Sequence, residues 1–139
     1  MGHDASKVLM GATQSSIREI DNRKGSIAAG LIVRLKSDDT ISIASADGNP
    51  LGVSLGKDLS DIGRTAIARK GLKIPVLLTA EFTPTKGAQV HFSDTTGKAI
   101  ASGAGATGMN AVYVSGVLTG VLEDGTTADV ALIDFPGGL

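Results

Sequence analysis

Apolar residues recur at every second position over short stretches of this chain, and glycine or short polar side chains separate the stretches. A period of two is the signature of a strand with one face buried. Residues 29–35 read as a first strand. Ser37-Asp38-Asp39 is a turn, because short polar side chains hydrogen-bond their own backbone. Residues 40–45 are a second strand with Ile41 and Ile43 on one face, and Asp47-Gly48-Asn49-Pro50 is a strong turn signal. Residues 51–55 alternate again as a third strand. After a polar loop at 57–63, residues 64–70 set Thr65, Ile67 and Arg69 against Ala66 and Ala68. Gly71 is expected to break that strand, and residues 72–78 to start another. Pro75 cannot donate to a ladder, which places this strand at an edge or a bulge. Residues 81–87 read as a loop, 89–92 as a short strand, 93–97 as a turn and 98–101 as a strand. The segment 103–133 closes the pattern: a glycine-rich opening, a strand through 111–122, a turn at Glu123-Asp124-Gly125 and a returning strand through 127–133. It is expected to form one long hairpin.

Two parts of this pattern resemble each other. Gly30-Leu31-Ile32-Val33-Arg34-Leu35 aligns with Gly87-Ala88-Gln89-Val90-His91-Phe92 as Gly-x-x-Val-x-(Leu/Phe). Each is followed by a polar turn, a short strand and a Gly-Val strand, at Gly52-Val53 and at Gly120-Val121. The expectation is two copies of a β unit of roughly 50–60 residues, packed into a closed barrel or a sandwich.

Composition supports that class. The chain has 139 residues, which suits one domain, and 19 of them are glycine. Glycine is poor in helix interiors, whereas the abundant Val and Ile suit strands. The predicted fold class is therefore all-β, a small β-barrel or β-sandwich. Cysteine is absent, so there is neither a disulfide framework nor thiol chemistry. With 13 basic and 14 acidic residues the net charge is −1, which gives no electrostatic reason to expect nucleic acid. No run approaches the ~18 apolar residues of a membrane span, and no signal peptide is evident. Met1-Gly2-His3-Asp4-Ala5-Ser6 fits a myristoylation pattern formally, with no second membrane signal beside it.

Little in the chain points to catalysis. Gly103-Ala104-Gly105-Ala106-Thr107-Gly108 matches a dinucleotide-binding glycine pattern. That pattern works only when it opens a helix whose N–H groups hold a pyrophosphate. Here Val112, Val114, Val117 and Val121 follow, which is strand composition, so the reading is a turn-forming loop. The histidines, His3 and His91, lack metal-ligand spacing. The carboxylate pairs Asp38-Asp39 and Asp58-x-x-Asp61 read as turns. No nucleophile motif is present. The expectation is no enzyme, no cofactor and no metal. Arg69-Lys70-x-x-Lys73 is the densest basic cluster, either a solvated face or a match for an acidic partner.

Residues 1–26 stand apart from residues 27–139. They are polar and small, with one apolar patch at Val8-Leu9-Met10, then Ile17-Arg18-Glu19-Ile20 and a charged turn. Two readings stand beside each other: a frayed terminus, or an N-terminal arm that orders on a neighbouring subunit, with Val8, Leu9, Met10, Ile17 and Ile20 as its contacts.

With the strands laid out, the chain resembles the small capsid decoration (cement) proteins of tailed bacteriophages. The residues that carry this are Ala29-Gly30-x-x-Val33-x-Leu35, Pro50-Leu51-Gly52-Val53, Gly71-x-Lys73-x-Pro75-Val76, Lys86-Gly87-x-x-Val90-x-Phe92 and Ala128-x-Val130-Ala131-Leu132-Ile133, within residues 27–135. The resemblance implies a compact β domain on the outer surface of an assembled virion, made in the cytoplasm of a bacterial host. It implies the major capsid protein as partner, and self-association as a trimer before a dimer. It also implies an arm laid over adjacent capsid subunits. Two other functions fit an all-β chain of this kind: a receptor- or glycan-binding module, for which aromatic platforms are scarce, and another virion part such as a tail-tube or head-completion subunit.

Overall fold

The computed structural model describes residues 16–44, 50–57, 63–122 and 125–137. They form ten strands and no helix: β1 Ser16–Lys24, β2 Ile32–Leu35, β3 Ile41–Ile43, β4 Gly52–Lys57, β5 Arg64–Leu77, β6 Gln89–Ser93, β7 Ala99–Ile100, β8 Ala106–Tyr113, β9 Leu118–Val121 and β10 Thr127–Phe135. All belong to one sheet, ordered β3-β2-β4-β5-β10-β8-β6-β7, with β1 added on β5 and β9 on β10. Every pairing between named strands is antiparallel. The fold is all-β, as the alternation predicts.

The strand order is a palindrome of two units. The path β3-β2-β4-β5 is repeated as β7-β6-β8-β10, and β5 and β10 meet at the centre. The repeat is therefore real, but its partners differ from those expected from sequence. Val53 of β4 pairs with Ile32 of β2, and Val112 of β8 pairs with Gln89 of β6. The counterpart of the Gly52-Val53 strand is thus β8, whereas Gly120-Val121 lies in β9, off the main path.

The turns behave as their side chains dictate. Asp38 accepts from the Thr40 N–H and hydroxyl at 3.1 and 2.6 Å, and Asp39 takes the left-handed region at φ 67°. These bonds also hold the Asp38 carboxyl below its usual range. The equivalent turn between β6 and β7 uses the Ser93 hydroxyl to accept from Thr95 and Thr96 N–H groups. It ends at Gly97, at φ 73°.

The sheet curls without closing. Gly97 brings the two outer hairpins together: Ile32 N–H donates to its carbonyl at 2.9 Å. A Cβ at Gly97 would lie 2.8 Å from Ile43 Cγ2 and 3.0 Å from the Ile32 carbonyl oxygen, so only glycine allows this approach. The curl wraps a main core that includes Ile32, Val53, Ile74, Val90, Phe92 and Ile133, all fully buried. A smaller cluster, Ala29, Leu77 and Val130, lies apart from it. The central strands are thus covered on both faces. This is why Ile74 to Leu78 and Val130 to Ile133 read as continuous apolar runs rather than alternating ones.

The expected break at Gly71 needs correction, whereas the irregularity expected near Pro75 is present as a bulge. Gly71 does not end a strand: β5 runs through it for 14 residues. The irregularity sits two residues on, at Lys73, whose φ of 56° bulges the strand and turns its N–H onto Asp134 Oδ1 at 3.0 Å. Pro75 lies within the ladder with β10, opposite Leu132. Leu78 donates toward β10 and Leu77 toward Gly30 on the other side, so by alternation the Pro75 nitrogen faces away from β10. The long C-terminal hairpin is likewise interrupted. β8 pairs with β10 only at Tyr113 and Val112, β9 pairs with its first residues, and 114–117 form a break. There the Ser115 hydroxyl accepts from Leu132 N–H at 2.9 Å and donates to the Gly116 carbonyl at 2.8 Å. A polar side chain thus replaces the missing strand partner.

Candidate binding surface

β1 is held by one ladder, along β5. It pairs with β5 from Lys24↔Arg64 to Ser16↔Leu72, with register shifts around Glu19. β5 already holds β4 through residues 65–68, so β1 occupies its other side. Three ion pairs involve this strand. The Asp21 carboxylate accepts from Arg23 Nε at 2.9 Å, Arg69 Nη1 stands 3.6 Å away, and Arg23 reaches toward Asp39 at 3.9 Å. Partial burial raises the Asp21 pKa, but the Asn22 N–H and the two guanidinium groups outweigh it and hold the carboxyl below its ordinary range. The Arg69-Lys70-x-x-Lys73 cluster is therefore not one basic patch, because Arg69 faces Asp21.

An apolar groove opens where β1 begins. It encloses about 540 Å³ between the Lys70–Leu72 part of β5, the 109–112 part of β8 and the end of β10. Met109, Ala111 and Phe135 form its buried floor. Leu72 and Val112 form its lips and are 41% and 42% exposed. Lys70 and Asp134 stand at its rim.

Strand irregularities create this groove. The β6–β8 register passes from Gln89↔Val112 to His91↔Gly108, so three residues of β8, 109–111, bulge opposite Val90 alone. The Gln89 side-chain amide crosses to the Met109 carbonyl at 3.1 Å and holds the bulge. On the opposite wall the β5–β10 register slips between Ile133 and Phe135, next to the Lys73 bulge. Bulges of this kind end regular pairing and re-aim side chains. Here they spread β8 from the end of β10 and leave leucine and valine side chains facing outward.

A smaller hollow of about 260 Å³ lies on the far side of Gln89, among Phe82, His91 and Tyr113. The Phe82 ring meets Tyr113 edge-on, 6.1 Å between centroids at 61°. The Tyr113 hydroxyl is buried without a hydrogen-bond partner among the described residues, and burial pushes its pKa up to about 12.

The residues expected to make contacts fall as follows. Ile20, in β1 opposite Ala68, is 60% exposed. Ile17 lies in β1 opposite Gly71. Val8, Leu9 and Met10 lie outside the described residues. The sequence offers no groove at Leu72, Met109, Val112 and Phe135: Leu72 and Val112 read as ordinary strand residues, and Met109 and Phe135 fall outside the expected strands, although β8 and β10 extend to include them. Their signal is the combination of three bulges, which involves pairing between distant segments.

The glycine-rich segment takes a form unlike a phosphate loop. Ala106 N–H closes a turn onto the Gly103 carbonyl at 3.2 Å, and β8 starts there, with Gly108 already inside it. A strand follows the glycines where a pyrophosphate site needs a helix. His91 sits in β6 opposite Gly108. Among the described residues no three potential metal ligands gather, and no helix is long and apolar enough to cross a membrane.

No protein-family model matches the chain, and no curated protein matches it. A solved structure does: a chain of "The capsid of Myoviridae Phage XM1" superposes with a TM-score of 0.66 at 18% identity, over 99% of this chain and 92% of that one. The two chains share a fold along nearly their whole lengths.

Proposed function

We propose that this protein is a structural component of a phage virion, which docks on the outer surface of the assembled head and stabilises it by clamping adjacent subunits of the major capsid protein. The observation that carries this reading is the end-to-end fold match to a chain of a phage capsid structure. The surface is consistent with it. β1 holds its nine residues to the sheet, and the fifteen residues before it in the sequence include the apolar Val8, Leu9 and Met10. Ile20 adds an exposed apolar side chain on the same strand. Extended segments of this kind gain main-chain hydrogen bonds by adding to a neighbour's sheet edge. Self-association, as a trimer in this reading, multiplies weak contacts through effective concentration. Binding only the assembled shell shifts its equilibrium toward assembly, and no catalytic step is involved.

The test is co-sedimentation with undecorated phage heads. The full chain is expected to sediment with them saturably and to raise the temperature at which they rupture. A variant lacking residues 1–15 should still fold to the same all-β structure, read by circular dichroism, but stay in the supernatant. Absence of saturable binding by the full chain defeats the proposal. Equal binding by the truncated variant leaves decoration standing and removes the arm from it.

A further inference from the structure

We propose that the groove between β5, β8 and the end of β10 is the receptor for this chain's own Val8-Leu9-Met10 segment. The docked arm would be held there in the free protein. The inference stands apart from head binding and is tested without heads.

Position is the first argument. Going backward along the chain, β1 runs along β5 from Arg64 to Leu72, and its first residue, Ser16, pairs with Leu72. Leu72 is a lip of the groove. The chain before Ser16 is therefore tethered at the groove's edge. From Ser16 to Met10 is six residues, which spans up to about 20 Å when extended. That reach covers an opening that starts at the neighbouring side chain.

Chemistry is the second argument. The groove has a floor of Met109, Ala111 and Phe135 with outward-facing Leu72 and Val112, an apolar surface in a protein otherwise rich in polar turns. Val8-Leu9-Met10 is the longest apolar run in residues 1–15, flanked by Lys7 and Gly11. An apolar triad tethered a few residues from an apolar hollow meets it at an effective concentration in the millimolar range, far above that of a second copy in dilute solution. The bulge at 109–111 also takes that part of β8 out of register with β6, so an extended segment has backbone as well as side chains to meet.

The absence of cysteine gives a clean assay. Two double variants of the full chain, Leu9→Cys with Val112→Cys and Met10→Cys with Val112→Cys, are oxidised mildly at low micromolar concentration. The one position introduced at the groove, Val112, lies on its exposed lip, so folding is not at stake. A control pairs Leu9→Cys with Thr40→Cys in the β2–β3 turn. The expected result is an intrachain disulfide in at least one groove pair, formed about tenfold or more faster than in the control, consistent with tethering. Adding Leu72→Asp should remove that advantage while the melting temperature stays within a few degrees. Cross-linking at the control rate, or only between chains, overturns the proposal. The second of those results assigns the groove to a second copy.

Discussion

Gly52→Ala puts the central packing of the first β unit to the test. A glycine in a strand is usually a weakness, and alanine at a site that tolerates it stabilises by roughly 0.4–1 kcal/mol. Gly52 is different. A Cβ there would lie 2.2 Å from the Ala68 carbonyl oxygen, 2.9 Å from its carbonyl carbon and 2.9 Å from Ile67 Cγ2. Ordinary carbon–oxygen contact needs about 3.3 Å or more, so β4 must move by about 1 Å relative to β5. The obstructing atoms are backbone, which cannot rotate away. Gly52 is also paired with Val33, and its neighbour Val53 with Ala68, so the movement strains the β2 and β4 ladders together. Overpacking of this kind costs about 1–3 kcal/mol, and the upper end applies where the backbone itself must shift. For a chain of 139 residues a loss of ~3 kcal/mol lowers Tm by about 10 °C. The control is Gly116→Ala: no atom lies within 4 Å of its Cβ position, so its Tm should stay level or rise slightly. Thermal unfolding by circular dichroism reads both. If Gly52→Ala melts with Gly116→Ala, the close approach of β4 to β5 is not what requires glycine at this position.

Two further predictions concern single polar groups. The Tyr113 hydroxyl is buried and unpartnered, so Tyr113→Phe should leave stability at neutral pH unchanged or raise it by about 1 kcal/mol. Its pKa is raised from 10.0 to about 12, so the folded state keeps the proton that the unfolded state loses. That contribution is whole below pH 10 and is lost as pH rises from 10 to 12. Urea unfolding at pH 9, 10.5 and 12 should therefore show an alkaline loss in the parent that is smaller in Tyr113→Phe, and parallel curves would contradict the assignment. Asp21→Asn removes the carboxylate that faces Arg23 and Arg69. Its side chain is about one-fifth exposed, so the cost at neutral pH is about 1 kcal/mol after solvent screening. Because the Asp21 pKa is lowered, its contribution is present above about pH 4 and fades as pH falls further. The Tm difference between parent and variant should shrink in acid, and a difference that grows there would refute the reasoning.

The local chemistry of this chain was readable in its sequence. The Asp38 turn, the Gly97 turn, the existence of β2 and β3 and the alternation of Val90 and Phe92 in β6 follow from side chains acting on their own neighbourhoods. The Gly30 and Gly87 resemblance also led correctly to a two-unit sheet, although the second unit was threaded through β9 instead of β8. The errors share one cause. Gly71 carries a genuine signal of irregularity, but whether glycine ends a strand or lies beside a bulge depends on what pairs with it. Here Ile17 and Phe135 both do, from opposite ends of the chain. The break at 114–117 likewise depends on Ser115 meeting Leu132 across the hairpin. The groove exists only because bulges on β8, β5 and β10 fall side by side, and no window of sequence contains all three.

The palindromic sheet explains why β1 belongs to the domain as well as to the arm. In the second unit the connection from β8 to β10 is long enough to contain β9, which pairs with Thr127 to Val130 at the start of β10. In the first unit the connection from β4 to β5 spans only residues 58–63, too short to supply such a strand. The start of β5 nevertheless carries a strand beyond its β4 partner, and that strand is β1, drawn from before the unit begins. Without it, residues 64–72 of β5 would present an unpaired edge, which invites association with another chain. The same geometry that completes the sheet also fixes the arm's exit at Leu72, beside the groove. The chain therefore enters the described fold through a strand with its own ladder, Ser16 to Lys24 along β5.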